Sequence, residues 1–168
     1  EKYKSKDIQV LINGAGFGAL GEFNSIDVDR EIDMINTNVV GAHVLTKLFL
    51  KDMLKRNRGY ILNIASSAGY MPGSPYMATY YASKAYVLRL TESIYGELKK
   101  KNSHVYIGSL CPGPVDTNFN HVAGVQFGVK ALTSKAVAKY AVKKMFKGTL
   151  TIVPGFTMKL CHVFGRFV

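Results

Sequence analysis

Tyr80 and Lys84, in the run Tyr80-Tyr81-Ala82-Ser83-Lys84, share one face of any helix that contains them. A free phenol has a pKa near ~10. A neighbouring ammonium favours the phenolate, which brings such a tyrosine toward use as a general acid or base near neutrality. Spacing alone is a weak signal, because Tyr95 with Lys99 and Tyr140 with Lys144 repeat it. Those two pairs fall in the C-terminal halves of predicted helices, where their lysines read as solvated, whereas Tyr80 falls in the first turns of its helix. Ser66, in Ser66-Ser67-Ala68-Gly69, follows an apolar run and is placed to hydrogen-bond a substrate oxygen; alone, the segment reads as a turn. Cys111-Pro112-Gly113-Pro114-Val115-Asp116-Thr117 breaks the chain sharply and exposes backbone groups to a ligand. Asn38 lies inside a predicted helix, where an Asn is ordinarily exposed or satisfied locally.

Gly16-Phe17-Gly18-Ala19-Leu20-Gly21 matches G-x-G-x-x-G just after a predicted strand. In a dinucleotide-binding turn the helix opens within the motif, so that its amides meet the pyrophosphate. Here Glu22 to Ile26 intervene, and no second strand ending in an acidic residue follows. The segment therefore reads as a glycine-lined turn with close backbone approach to a ligand. Cys111 and Cys161 form no CxxC pair, and the four histidines are scattered. A reducing cytoplasm and no metal site are the expectations.

Elements must position these residues. Ile8–Asn13, Tyr60–Ala65, Val105–Leu110 and Leu150–Val153 read as short buried strands. Asp27 to about Asn57 reads as one long helix capped by Asp27 and stopped by Gly59. Ser74-Pro75 reads as the N-cap and first position of a helix running to about Lys101. Ser134–Phe146 is a further helix, residues 115–132 are irregular, and Met158–Val168 is a short helix or a truncated element. The βαβαβαβ alternation implies a Rossmann-like, doubly wound parallel sheet with helices on both faces. Ligands on such sheets bind at the C-terminal strand ends, which here are Asn13–Gly21, Ser66–Gly69, Cys111–Thr117 and Pro154–Gly155.

The chain has 168 residues, 48% hydrophobic and 20% charged, which fits a single globular domain over 1–168. Its net charge is +11, and the clusters Lys55 to Arg58, Lys99 to Lys101 and Lys143-Lys144 each close a predicted helix where cations suit the dipole. No nucleic-acid module is visible, and apolar stretches fall far short of the ~20 residues that span a bilayer. Neither nucleic acid nor membrane is an expected partner. The opening Glu1 to Asp7 resembles the tail of an upstream helix, so the sequence reads as a piece of a longer protein.

In order and position these motifs resemble the short-chain dehydrogenase/reductase family. Asn13-Gly14-Ala15-Gly16 is similar to its N-N-A-G segment, departing at Gly14. Asn38 stands at the family's catalytic Asn, Ser66 at its Ser, Tyr80 and Lys84 at its Y-x-x-x-K, and Pro112-Gly113 at its P-G turn. The strand register selects Ser66, whereas the commoner family spacing selects Ser67. The resemblance implies an NAD(P)-dependent oxidoreductase, NADP ahead of NAD, that interconverts a secondary alcohol and a ketone. Tyr80 would move the proton, Lys84 would lower the Tyr80 pKa and hold ribose hydroxyls, Ser66 would polarise the carbonyl, and Asn38 would anchor a water. Asn13, Ala15, Gly16, Pro112, Gly113, Val115 and Thr117 would line the cofactor. Phe119, Val125, Phe127 and Leu132 would cover a small apolar carbonyl or alcohol substrate. The family also has a T-G-x-x-x-G-x-G turn and further strand–helix units ahead of N-N-A-G; none stands here, which implies a catalytic half whose first strand is an edge, or a non-catalytic scaffold. A homodimer or homotetramer through helices 27–57 and 75–101 is implied as well.

Overall fold

Four apolar runs form the central sheet, as their composition predicts. The computed structural model describes residues 7–124 and 131–164. In chain order the strands are β1 (Val10–Asn13), β2 (Tyr60–Ile64), β3 (Tyr106–Leu110), β4 (Val115–Asp116), β5 (Leu132–Thr133) and β6 (Thr151–Ile152). The main sheet runs β1-β2-β3-β6, all parallel, with Val10 opposite Tyr60 and Tyr60 opposite Tyr106. Side chains alternate between its faces. Leu62, Leu110 and Ile152 pack on one face, and Ile61 and Ile107 on the other.

Helices cover both faces. α1 (Val28–Ile35) begins where expected: Asp27 Oδ1 accepts from the Asp29 and Arg30 amides at 2.9 and 3.2 Å. The predicted single helix is not continuous, however. A π turn over Asn36–Gly41 separates α1 from α2 (Ala42–Arg56). Such a turn inserts a residue into the helical repeat and re-aims the side chains around it; the Asn38 amide points out of the helix to partners on two other segments. α2 ends at Arg56 with Asn57, left-handed at φ 48°, as its cap, where the helix was expected to end, and Gly59 follows at φ 139°.

α3 (Ala78–Lys100) starts later than Ser74-Pro75 implied. Ser74 to Met77 instead form a turn closed by the Met77 amide on the Ser74 carbonyl at 3.3 Å, with Tyr76 at φ 67°. Proline second and a positive φ third are the requirements of a type II turn, so Pro75 serves the turn and not the helix. The stretch expected to be irregular holds β4, the short α4 (Phe119–Ala123) and β5, with β4 and β5 paired in parallel. α5 (Ser134–Met145) buries Val137, Ala141 and Met145 against the sheet, and α6 (Phe156–Phe164) follows β6. β1 is an edge of the sheet, and Ile12 on it is 49% exposed.

Candidate active site

Three catalytic candidates meet where β2 ends. Ser66 leaves the strand in an extended conformation, and its hydroxyl accepts the Ala68 amide at 3.2 Å, capping a 3₁₀ turn over Ser67–Gly69. That turn lies flush on α3: a Cβ on Gly69 would sit 2.7 Å from the Lys84 carbonyl oxygen. Tyr80 and Lys84 stand one turn apart on the same helix, both buried. Lys84 Nζ donates to the Ile64 carbonyl at 3.1 Å and lies 5.8 Å from the centre of the Tyr80 ring. Ser67 uses its backbone amide on the Pro112 carbonyl at 2.8 Å, tying this turn to the Pro-Gly turn after β3.

Electrostatics at the site differ from expectation in one respect. Burial holds the Tyr80 phenol above its ordinary pKa, and the group that pulls it back is the Ser66 hydroxyl. Lys84 was expected in that role. Burial instead acts on Lys84 itself, lowering its pKa from 10.5 to about 8, because a desolvated ammonium loses its charge more easily. The sign of the resulting stability effect is fixed. The unfolded chain holds this proton up to pH 10.5 and the folded one only to about 8, so folding gains stability as pH rises between those values. Lys84→Met should flatten that rise relative to wild type, read as thermal midpoints from pH 7 to 10; equal slopes would refute the assignment. Cys111, fully buried beside Ser109, has its thiol pushed up to about 12 and is no nucleophile at neutral pH.

Asn38 belongs to the same cluster. Its Nδ2 donates to the Phe17 carbonyl at 2.9 Å and to Ser83 Oγ at 3.0 Å, and its Oδ1 accepts the Phe17 amide at 3.0 Å. Ser83 Oγ in turn donates to the Tyr80 carbonyl at 2.7 Å. The amide thus clamps the glycine loop onto α3. The loop must pass close: a Cβ on Gly16 would lie 2.9 Å from Asn38 Oδ1 and 3.1 Å from Lys84 Nζ. Gly18 abuts Tyr80 and Phe119, and no helix opens between the motif and Val28. The glycines therefore serve packing, and no helix N-terminus stands in the motif to meet a phosphate.

A cavity of about 460 Å³ opens beside these groups. Of the expected cofactor contacts, Gly16, Pro112, Gly113, Val115 and Thr117 lie on its wall, as do Ser66, Ser67, Tyr80 and Lys84. Asn13 and Ala15 do not. Asn13 turns into the protein, where Nδ2 donates to Asn63 Oδ1 at 2.7 Å and Thr46 Oγ1 at 3.0 Å. Ala15 is exposed between two wall residues. Phe119 lines the cavity, Leu132 lies off it, and Val125 and Phe127 are outside the described residues. Among the described residues, no group of His, Cys, Asp and Glu is gathered for a metal.

A family model described as short chain dehydrogenase matches residues 1–126. The chain belongs to the short-chain dehydrogenase family. A very-long-chain 3-oxoacyl-CoA reductase of Anas platyrhynchos is 36% identical over 125 residues, 72% of this chain and 39% of that protein. The ketoacyl reductase HetN of Nostoc sp. is 34% identical over 155 residues, 87% of this chain and 51% of that protein. This short-chain dehydrogenase chain thus spans about half or less of the length of these two relatives. A solved short-chain dehydrogenase of Sphingobium yanoikuyae, in complex with NADPH, shares the fold at a TM-score of 0.84 and 22% identity, over 98% of this chain and 65% of that one.

Two groups of residues around the short-chain dehydrogenase site were not foreseen. Met77, Tyr81, Val137 and Ala138 add to the cavity wall. Ser83 joins Asn38 to the Tyr80 backbone; its place next to Lys84 was the one available signal.

Proposed function

We propose that this chain carries the catalytic residues of an NAD(P)-dependent oxidoreductase that interconverts a secondary alcohol and a ketone. The observation that supports this most is the convergence of the Ser66 hydroxyl, the Tyr80 phenol and the Lys84 ammonium on one largely apolar cavity at the C-terminal end of β2. A nicotinamide cofactor, when bound, supplies or takes up the hydride. The cavity wall fits that group. Gly16, Pro112 and Gly113 lie on it beside the catalytic candidates, and Lys84 Nζ makes a single hydrogen bond among the described residues, leaving donors for ribose hydroxyls.

In ketone reduction, Tyr80 gives its proton to the carbonyl oxygen as negative charge grows there, and in the reverse direction it takes that proton back. Ser66 donates to the same oxygen and fixes its orientation. Because burial keeps the phenol protonated, the resting site is poised as an acid. Asn38, expected to anchor a water, has its amide engaged with Phe17 and Ser83, so its side chain acts by positioning the loop and α3. The apolar wall of Met77, Tyr81 and Phe119 suits an apolar part of a carbonyl substrate; two relatives are named as a 3-oxoacyl-CoA reductase and a ketoacyl reductase.

Titration with NADPH and NADH, read by nicotinamide fluorescence, tests the reading. Micromolar binding is expected, NADPH the tighter. A folded chain that binds neither nucleotide would instead support a non-catalytic interaction module.

A further inference from the structure

Charge is unevenly placed along the chain. Through Asp116 the sequence holds 14 Lys and Arg against 11 Asp and Glu; after it come eight Lys and Arg and no acidic residue. Part of this cationic stretch forms α5, which buries Val137, Ala141 and Met145 and leaves Lys135, Lys139 and Lys143 exposed at a spacing of one turn.

α6 adjoins it with an unusual distribution of polarity. Its inward side is fixed by Tyr70, whose hydroxyl donates to the Met158 carbonyl at 3.2 Å and whose ring meets His162 at 4.8 Å. The outward side is apolar: Phe156, Leu160 and Val163, at helical spacing, are 76%, 43% and 56% exposed. Lys159 flanks this stripe. Its Nζ lies 5.5 Å from the centre of the Tyr140 ring, and Lys144 Nζ lies 5.7 Å from the same ring, so the apolar stripe of α6 and the lysines of α5 are neighbours.

An exposed apolar stripe edged by cations, with no carboxylate in the surrounding sequence, matches an anionic amphiphilic surface. Nucleic acid would use the lysines but not the stripe. A second copy of this face would oppose like charges. We propose that α6 and the basic side of α5 dock on an anionic phospholipid surface, the Phe156, Leu160 and Val163 side chains entering the headgroup layer. The helix lies on the surface: no helix among the described residues is long and apolar enough to cross a membrane. The inward side of α6 reaches the cavity wall, since Met158 Sδ occupies the space that a Cβ on Gly113 would need. Docking thereby sets the cavity next to the lipid layer.

Vesicle co-sedimentation tests this. The chain is mixed with phosphatidylcholine vesicles, alone or with about one third phosphatidylglycerol. Binding is expected only with the anionic lipid, falling as salt is raised. The double variant Phe156→Ser with Leu160→Ser should reduce bound protein at least about tenfold, with an unchanged circular dichroism spectrum, and Lys139→Glu with Lys143→Glu should do the same. Binding by the serine variant equal to wild type would overturn the proposal in favour of unspecific charge attraction. Equal capture by neutral vesicles would overturn the electrostatic part. Pelleting without vesicles that the serine variant abolishes would show that a second copy covers the stripe.

Discussion

Tyr80→Phe is expected to lower ketone reduction by about 10²- to 10⁴-fold, the range for loss of a positioned acid or base, with nucleotide affinity and fold retained. Only the phenolic oxygen is lost. The ring stays packed, tilted on Phe119 at 5.3 Å and edge-on to Tyr81 at 6.3 Å. The phenolic oxygen interacts with the Ser66 hydroxyl, whereas the cluster is held by Asn38 and Ser83 through the Tyr80 carbonyl. Steady-state turnover, nucleotide titration and a thermal melt on one preparation separate chemistry from folding. Tyr95→Phe and Tyr140→Phe are the controls. Their rings lie 5.6 and 5.7 Å from Lys99 and Lys144, the same geometry as the Tyr80 pair, but away from the cavity. An active Tyr80→Phe enzyme would remove the central claim.

Asn63→Leu should be the most destabilising of these substitutions, by roughly 2–4 kcal/mol, from the cost of leaving buried polar groups unpaired. Asn63 is fully buried in β2 opposite Asn13 of β1. Its Oδ1 accepts from Asn13 Nδ2 at 2.7 Å and Thr46 Oγ1 at 3.1 Å, and its Nδ2 donates to Thr91 Oγ1 at 2.9 Å. One amide therefore joins two strands to α2 and α3. Leucine fills similar space but supplies neither donor nor acceptor. Asn13 Oδ1 already has no partner among the described residues, so the network has no slack to absorb the loss. Chemical denaturation would read the change directly, and a loss under about 1 kcal/mol would mean the network contributes little. Asn13→Leu added to Asn63→Leu should recover part of the loss, since removing both partners of a buried bond costs less than removing one.

The strands were legible because a buried parallel sheet requires short apolar runs, and all four lie inside the predicted segments. What the runs conceal is polarity. Asn13, Asn63 and Ser109 interrupt them at paired register positions, and only the fold shows that they meet one another or the helices. Helix breaks were harder to read. The π turn at Asn36–Gly41 has no compositional mark; the partners that its Asn38 meets are distant in sequence, at Phe17 and Ser83. Pro75 misled because a proline that opens a helix and one that sits second in a turn look alike until Tyr76 takes its positive φ. Spacing fixed the relation of Tyr80 to Lys84 so well that two other pairs share it. Depth in the cavity, which spacing does not encode, separates the catalytic candidate from its look-alikes. The direction of Asn13 was not legible for a related reason: a residue at a strand's end can face the ligand or the interior, and its amide meets Thr46 and Asn63.

Position along the main sheet repeats position along the chain: β1, β2, β3, then β6. For a chain emerging from the ribosome at about 5–20 residues per second, every new strand of that sheet meets an edge already made, and none must be threaded between two others. Ser66, Tyr80 and Lys84 leave the ribosome with β2 and the first turns of α3, well before β6 and α6. The chemical groups can thus be assembled before the helix that flanks the cavity is synthesised, so within this stretch of chain the reactive centre is made ahead of the docking surface.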